Sequence, residues 1–129
     1  MTWQQAYNSP HMEYFFVCNT VEDKNLNGWS YDDFHGIEKN FFKKGEQLTL
    51  GFRIGTRNNP AKLVQIILKN NKGEVKRCWD ECVNSKIIFY YESFESTNLD
   101  SGEYSVEYFI DGKKKGPLKF NLLDTTVFQ

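Results

Sequence analysis

Leu99-Asp100-Ser101-Gly102-Glu103-Tyr104-Ser105-Val106 is the stretch on which the fold turns. A polar corner of turn-forming residues gives way at Tyr104 to strict alternation. Tyr104, Val106, Tyr108 and Ile110 fall on one side, and Ser105, Glu107 and Phe109 on the other. A period of two is the signature of a strand with one face buried. Asp111-Gly112 then reads as a hairpin turn. Lys113 to Gly116 extends that loop, and Leu118, Phe120 and Leu122 alternate again as a closing strand.

The same pattern continues upstream. Leu48, Leu50, Phe52 and Ile54 alternate with Gln47, Thr49, Gly51 and Arg53. Lys43-Lys44-Gly45-Glu46 before them is a turn that follows Phe41 and Phe42. Leu63 to Leu68 is apolar on both faces except at Gln65, which predicts a central strand. Asn70-Asn71-Lys72-Gly73 is a hairpin turn, Val75 to Trp79 a short strand, and Ile87 to Tyr91 another, ending in a polar corner over Ser93 to Asp100. Tyr14 to Val21 is read as a first strand, with helix as the alternative. Seven to eight short strands with turns at regular spacing predict an all-β antiparallel sandwich occupying residues 1–129 as one domain, with 1–13 as a loosely packed N-terminal segment.

At 129 residues the chain buries about two-thirds of its unfolded surface without needing disulfides or metals. Sixteen basic against seventeen acidic residues argues against a nucleic-acid binder, which needs a basic excess. Aromatic residues make up 16 %, and they suit pleated sheets. No apolar run is long enough for a membrane span. Met1 to His11 lacks the pattern of a signal peptide. That places the chain in the cytoplasm, or in an extracellular, periplasmic or surface setting if a signal has been removed.

The run from Leu99 to Val106 resembles the opening of strand F in immunoglobulin-like sandwiches, where a buried Tyr bonds back to upstream backbone. The likeness covers mainly residues 47–122. The antibody-type cysteine pair and strand C tryptophan are missing: Val106 stands two residues after the corner Tyr, and Leu63 to Leu68 holds no Trp. The chain is therefore more similar to disulfide-free immunoglobulin-like modules of bacterial exported and surface proteins, whose endings look like the run from Gly102 to Phe120. The resemblance implies a sandwich and leaves the role open.

Four constellations are candidates for chemistry. Asp23-Lys24-Asn25-Leu26-Asn27-Gly28 resembles the start of an EF-hand loop, but its twelfth place is Phe34, and Asp33 arrives one residue early. It reads as a turn-rich loop, with a calcium site through Asp23, Asn25, Asn27 and Asp33 as the alternative. Trp29, Tyr31 and Phe34 sit in that predicted loop and Trp79 near a strand end, a set of rings that can stack on a sugar, anchor a peptide or cap the ends of a sandwich. Cys78 and Cys82, spaced to share a helical turn, are two thiols or a short-loop disulfide, too few for a zinc site. Cys18 lies in an apolar run and reads as a small buried hydrophobe. No nucleophile elbow, Gly-rich phosphate loop or His-Glu-x-x-His helix is present. The expected function is a non-enzymatic binding or assembly module with a protein partner and no cofactor. A carbohydrate-binding module and a small protease inhibitor are the alternatives.

Overall fold

Residues whose side chains alternate in hydropathy pair here into two facing sheets. The computed structural model describes residues 14–21, 34–35, 40–55, 61–84 and 87–124. Ten strands follow in order: β1 (Tyr14–Cys18), β2 (Thr20–Val21), β3 (Phe34–His35), β4 (Phe41–Lys43), β5 (Gln47–Gly55), β6 (Ala61–Asn70), β7 (Val75–Asn84), β8 (Ile87–Glu95), β9 (Gly102–Ile110) and β10 (Lys113–Leu123). A three-stranded sheet runs β1-β5-β8, a five-stranded sheet runs β4-β10-β9-β6-β7, and β2 pairs with β3. All pairings are antiparallel except β4 with β10, which is parallel. The chain is an all-β sandwich.

One face of each strand meets the other sheet. Leu48, Leu50 and Phe52 of β5 pack against Val64, Ile66 and Leu68 of β6 and Val106 and Tyr108 of β9, all 0 % exposed. Tyr108 spans the gap between sheets. Its ring lies 4.9 Å from Phe15 and 6.1 Å from Phe52, and its hydroxyl donates to the carbonyl of Phe16 at 2.7 Å. The outer face of the three-stranded sheet carries a second apolar cluster of Phe16 and Cys18, with Tyr14, Val21 and Tyr91 against it.

The corner reading holds at the atomic level. Tyr104 is 3 % exposed, and its hydroxyl donates to the carbonyl of Asp100 at 2.5 Å. Its ring stacks on Phe120 at 5.6 Å. Tyr104→Phe removes that bond and strands the Asp100 carbonyl, so equilibrium unfolding should show a loss of about 1–3 kcal/mol. Glu103→Gln, on an exposed outward position, should change stability by less than about 0.5 kcal/mol.

Several boundaries differ from the sequence expectation, each for a local reason. The turn at Asp111-Gly112 is two residues long, with positive φ at both (50° and 82°), so Lys113 to Lys115 pairs at once with Ile110 to Tyr108 instead of extending the loop. The interruption in β10 falls later, as a bulge between Lys115 and Leu118 that accommodates Pro117. Strand β7 does not stop at Trp79 but continues to Asn84, because β6 offers partners out to Ala61. Strand β8 runs into the polar corner as far as Glu95 before a 3-10 turn over Ser96–Asn98. Buried Ser96 ties that turn to the β4–β5 turn: its hydroxyl donates to the Glu46 carbonyl at 2.7 Å and accepts from the Gly45 amide at 2.9 Å.

Candidate interaction surface on the five-stranded sheet

The residues that β6, β7 and β9 turn away from the core form one continuous surface. Because Val64, Ile66 and Leu68 point inward, Leu63, Gln65, Ile67 and Lys69 point outward. Register places Cys82 beside Leu63, Cys78 in one row with Ile67 and Glu107, and Asp80 in one row with Gln65 and Phe109. Leu63 is 42 % exposed, and Ile67 and Phe109 are half-buried. Of the three large apolar side chains that are well exposed among the described residues, Leu63 and Val75 both belong to β6 and β7.

A buried carboxylate sits on this face. Glu107 is only 6 % exposed, held between the ammonium groups of Lys69 at 2.5 Å and Lys114 at 2.6 Å. Those two lysines hold its carboxyl below the usual glutamate range, against the opposing effect of burial. A lowered carboxylate pKa stabilises the folded state above the unfolded value of about 4.3, and that contribution is lost as pH falls through the folded value. Glu107→Gln should therefore reduce stability at pH 7 and narrow the difference from the parent as the solution is acidified below about pH 4, read by thermal unfolding across pH.

Among the described residues strand β7 ends this sheet, and alternate backbone groups of it face away from β6. The parity follows from two bonds of β6. The Leu63 carbonyl accepts from the Asp111 amide at 2.8 Å, which turns odd-numbered β6 residues toward β9, while the Asn70 amide donates to the Glu74 carbonyl at 3.0 Å, which turns even-numbered ones toward β7. Arg77, Trp79 and Glu81, opposite Leu68, Ile66 and Val64, thus spend their backbone groups on β6. The backbone groups of Cys78, Asp80 and Cys82 point away from the sheet. Lys76 is the extra residue at the register shift between Leu68 and Lys69, and its carbonyl accepts from the Arg77 side chain at 2.8 Å.

Trp79 is not a strand-end platform. It stands in the middle of β7 on the inner face, half-buried, its ring 5.6 Å from Phe94. The Arg77 guanidinium covers the same Phe94 ring at 5.6 Å. These groups pack together along the side of the sandwich. Phe34 contributes backbone to β3 opposite Val21. Trp29 and Tyr31, and the calcium-loop residues Asp23, Asn25, Asn27 and Asp33, lie outside the described residues. Among the described residues no group of three or more His, Cys, Asp or Glu side chains could hold a metal ion.

Cys78 and Cys82 share a strand face instead of a helical turn, and both are unbridged and exposed. Four residues of strand separate them by roughly 13 Å, beyond the reach of a disulfide. Cys18 is fully buried, and burial pushes its thiol up to about 12. Iodoacetamide at neutral pH should label two thiols in the folded protein and the third only on unfolding, countable by mass spectrometry.

A polar cleft of about 290 Å³ opens between the β6–β7 turn and the corner before β9. Its groups are largely spent on the turn itself. The Asn70 side-chain oxygen accepts from the amides of Lys72 and Glu74, and its nitrogen donates to Glu74, lowering that carboxyl's pKa. The cleft is turn architecture. Sequence reasoning placed Glu107 outward by alternation but had no signal for its two lysine partners, which come from β6 and β10.

No protein-family model matches the chain, and no curated protein matches it. Solved structures do resemble it in fold. The C-terminal domain of Wzt is similar with a TM-score of 0.56 at 9 % identity, over 92 % of this chain and 81 % of that one. The PmoD soluble domain from Methylocystis sp. is similar with a TM-score of 0.50 at 10 % identity, over 88 % and 92 %. A Pseudomonas fluorescens alkylpurine DNA glycosylase, AlkC, bound to DNA containing an abasic site analog, gives a TM-score of 0.47 at 13 % identity, over 66 % of this chain and only 28 % of that one. At these identities the likeness is one of fold.

Proposed function

We propose that this chain is a non-enzymatic, immunoglobulin-like binding or assembly module that docks a protein partner on the outer face of its five-stranded sheet. The immunoglobulin-like part rests on strand order, β1-β5-β8 against β4-β10-β9-β6-β7, together with the Tyr104 corner. The observation that carries the docking reading is the conjunction of an apolar strip, Leu63, Ile67 and Phe109, with a ten-residue strand that, among the described residues, has no strand beside its outer edge. An unpaired edge offers main-chain hydrogen bonds, and the strip beside it offers apolar area. Sugar binding is less well served, because Trp79 is committed to Phe94.

A photo-crosslinking side chain at Leu63, compared with one at Glu95 on the other sheet, tests this. A discrete protein adduct is expected at 63, absent at 95 and abolished by Ile67→Lys. Equal labelling at both positions, or none at 63, refutes the surface. A rise in melting temperature with an oligosaccharide would favour the carbohydrate alternative instead.

A further inference from the structure

We propose that the outer edge of strand β7 takes up an extended segment of another protein, bearing two consecutive basic side chains, as an added strand. The proposal rests on the docking reading and names the chemistry of the occupant.

The backbone selects this edge. Strand β7 pairs with β6 without a break from Arg77 to Asn84. Cys78, Asp80 and Cys82 turn their backbone groups away from β6, and these three residues and Glu81 are exposed. Alternate residues of this kind hold an incoming strand by main-chain hydrogen bonds. The other end of the sheet is defended. Among the described residues β4 covers β10 only from Asn121 to Leu123. The rest of β10 is broken by the bulge between Lys115 and Leu118, and it carries Pro117, Lys113, Lys114 and Lys119, which discourage pairing at an edge.

The side chains select the occupant. Asp80 lies on the outward face beside Gln65, and Glu81, opposite the inward Val64, lies on the other face. Among the described residues neither carboxylate has a hydrogen bond or ion pair. Glu92 adds a third negative charge nearby. It accepts from the Tyr90 hydroxyl at 2.8 Å, and burial, that bond and the charges of Glu92, Glu81 and Asp80 together raise the phenol's pKa. The cations closest in the sheet are engaged: Arg77 lies over Phe94 and bonds the Lys76 carbonyl, while Lys69 and Lys114 hold Glu107. Two neighbouring carboxylates on opposite faces of one strand are matched across a ladder by two neighbouring cations on the next. In an antiparallel pairing the residue after those cations stands beside Trp79, whose ring packs on Phe94, so an apolar side chain suits that place. Strand β7 of a second copy does not supply the pair. Its Lys76-Arg77 would have to set Arg77 opposite Asp80 in an antiparallel ladder, but Arg77 turns its backbone to its own β6, opposite Leu68, while Asp80 turns its backbone to the edge.

Fluorescence anisotropy of a labelled synthetic peptide, Ser-Thr-Val-Lys-Arg-Val-Thr-Ser, tests this on the full chain. Saturable binding that weakens with salt is expected. Asp80→Lys combined with Glu81→Lys should weaken it about tenfold. A peptide with Glu-Glu in place of Lys-Arg should show the opposite preference, binding the doubly exchanged chain better than the parent. Both positions are exposed, and circular dichroism confirms the fold. Amide hydrogen exchange at Cys78, Asp80 and Cys82 should slow when the Lys-Arg peptide is bound, which distinguishes an added strand from ion pairing alone. Failure of the Lys-Arg peptide to bind, equal affinity for the two peptides, or no slowing along β7 overturns the proposal. So does a chain that sediments as a dimer and becomes monomeric on the double exchange, since a second copy would then occupy the edge. A discrete protein adduct at Leu63, from a chain whose β7 amides the peptide leaves unprotected, would overturn basic-strand pairing while leaving the docking reading intact.

Discussion

Tyr108→Ala is expected to cost about 3–5 kcal/mol, the largest loss of any single side chain among the described residues. Tyr108 is fully buried and touches both sheets. Its ring packs on Phe15 and Phe52 of the opposite sheet, and its hydroxyl bonds the Phe16 carbonyl of β1. Truncation opens a cavity at the centre of the sandwich, removes two ring contacts and leaves a buried carbonyl without that donor. Tyr108→Phe separates the terms. It keeps the ring and removes only the hydrogen bond, so it should cost about 1–3 kcal/mol. Urea unfolding of both variants is the check. A Phe variant as unstable as the Ala variant would mean that the hydroxyl, not the ring, joins the sheets.

Gly51→Ala should be nearly as damaging, with a loss of about 3 kcal/mol. A Cβ at this position would lie 2.7 Å from the ring tip of Phe16, the carbonyl oxygen of Tyr90 and the Cβ of Tyr91. The Phe16 ring can turn aside, but the other two belong to the paired strand β8 and cannot move without breaking the ladder. Phe16 is itself 2 % exposed, so even its shift unpacks the second apolar cluster. The glycine serves here by its lack of volume: it lies in a regular strand, and the aromatic side chain crosses directly over its backbone. Thermal unfolding of Gly51→Ala checks this, and an unchanged melting temperature would show that the cluster has slack that the geometry does not suggest.

These two sites also show where reading a sequence stops. The alternation from Tyr104 to Ile110 announced that Tyr108 faces inward, and alternation in Gln47 to Ile54 placed Gly51 on the other face of its strand. Period-two patterning depends only on which side of a strand a residue occupies, so it is legible locally. Nothing local tells that the Tyr108 hydroxyl meets the carbonyl of Phe16, ninety-two positions away, or that Phe16 lies over Gly51. The candidate surface divides in the same way. That Leu63 to Leu68 is apolar on both faces was visible, and it correctly marked β6 as a strand flanked on both sides, by β7 and β9. The cysteine spacing was visible too, but its meaning depended on whether Val75 to Trp79 ended or continued. Continuation to Asn84 converted a helical-turn pair into two thiols on one strand face and moved Trp79 from a strand end to the side of the sandwich.

By itself the sequence determined the class of the fold, the turns at Asp111-Gly112 and Asn70 to Gly73, the Tyr104 corner and most of the inward-facing core. Those depend on side-chain periodicity and on residues that tolerate tight turns, both properties of a few neighbouring positions. Only the tertiary structure decided which strand lies at the edge, which backbone groups that edge leaves outward, and that Glu107 meets Lys69 and Lys114. Edge position and ion pairing across strands are set by the order in which distant segments pack, and hydrophobic burial, which drives that packing, is non-directional and leaves no mark on any one segment of the chain.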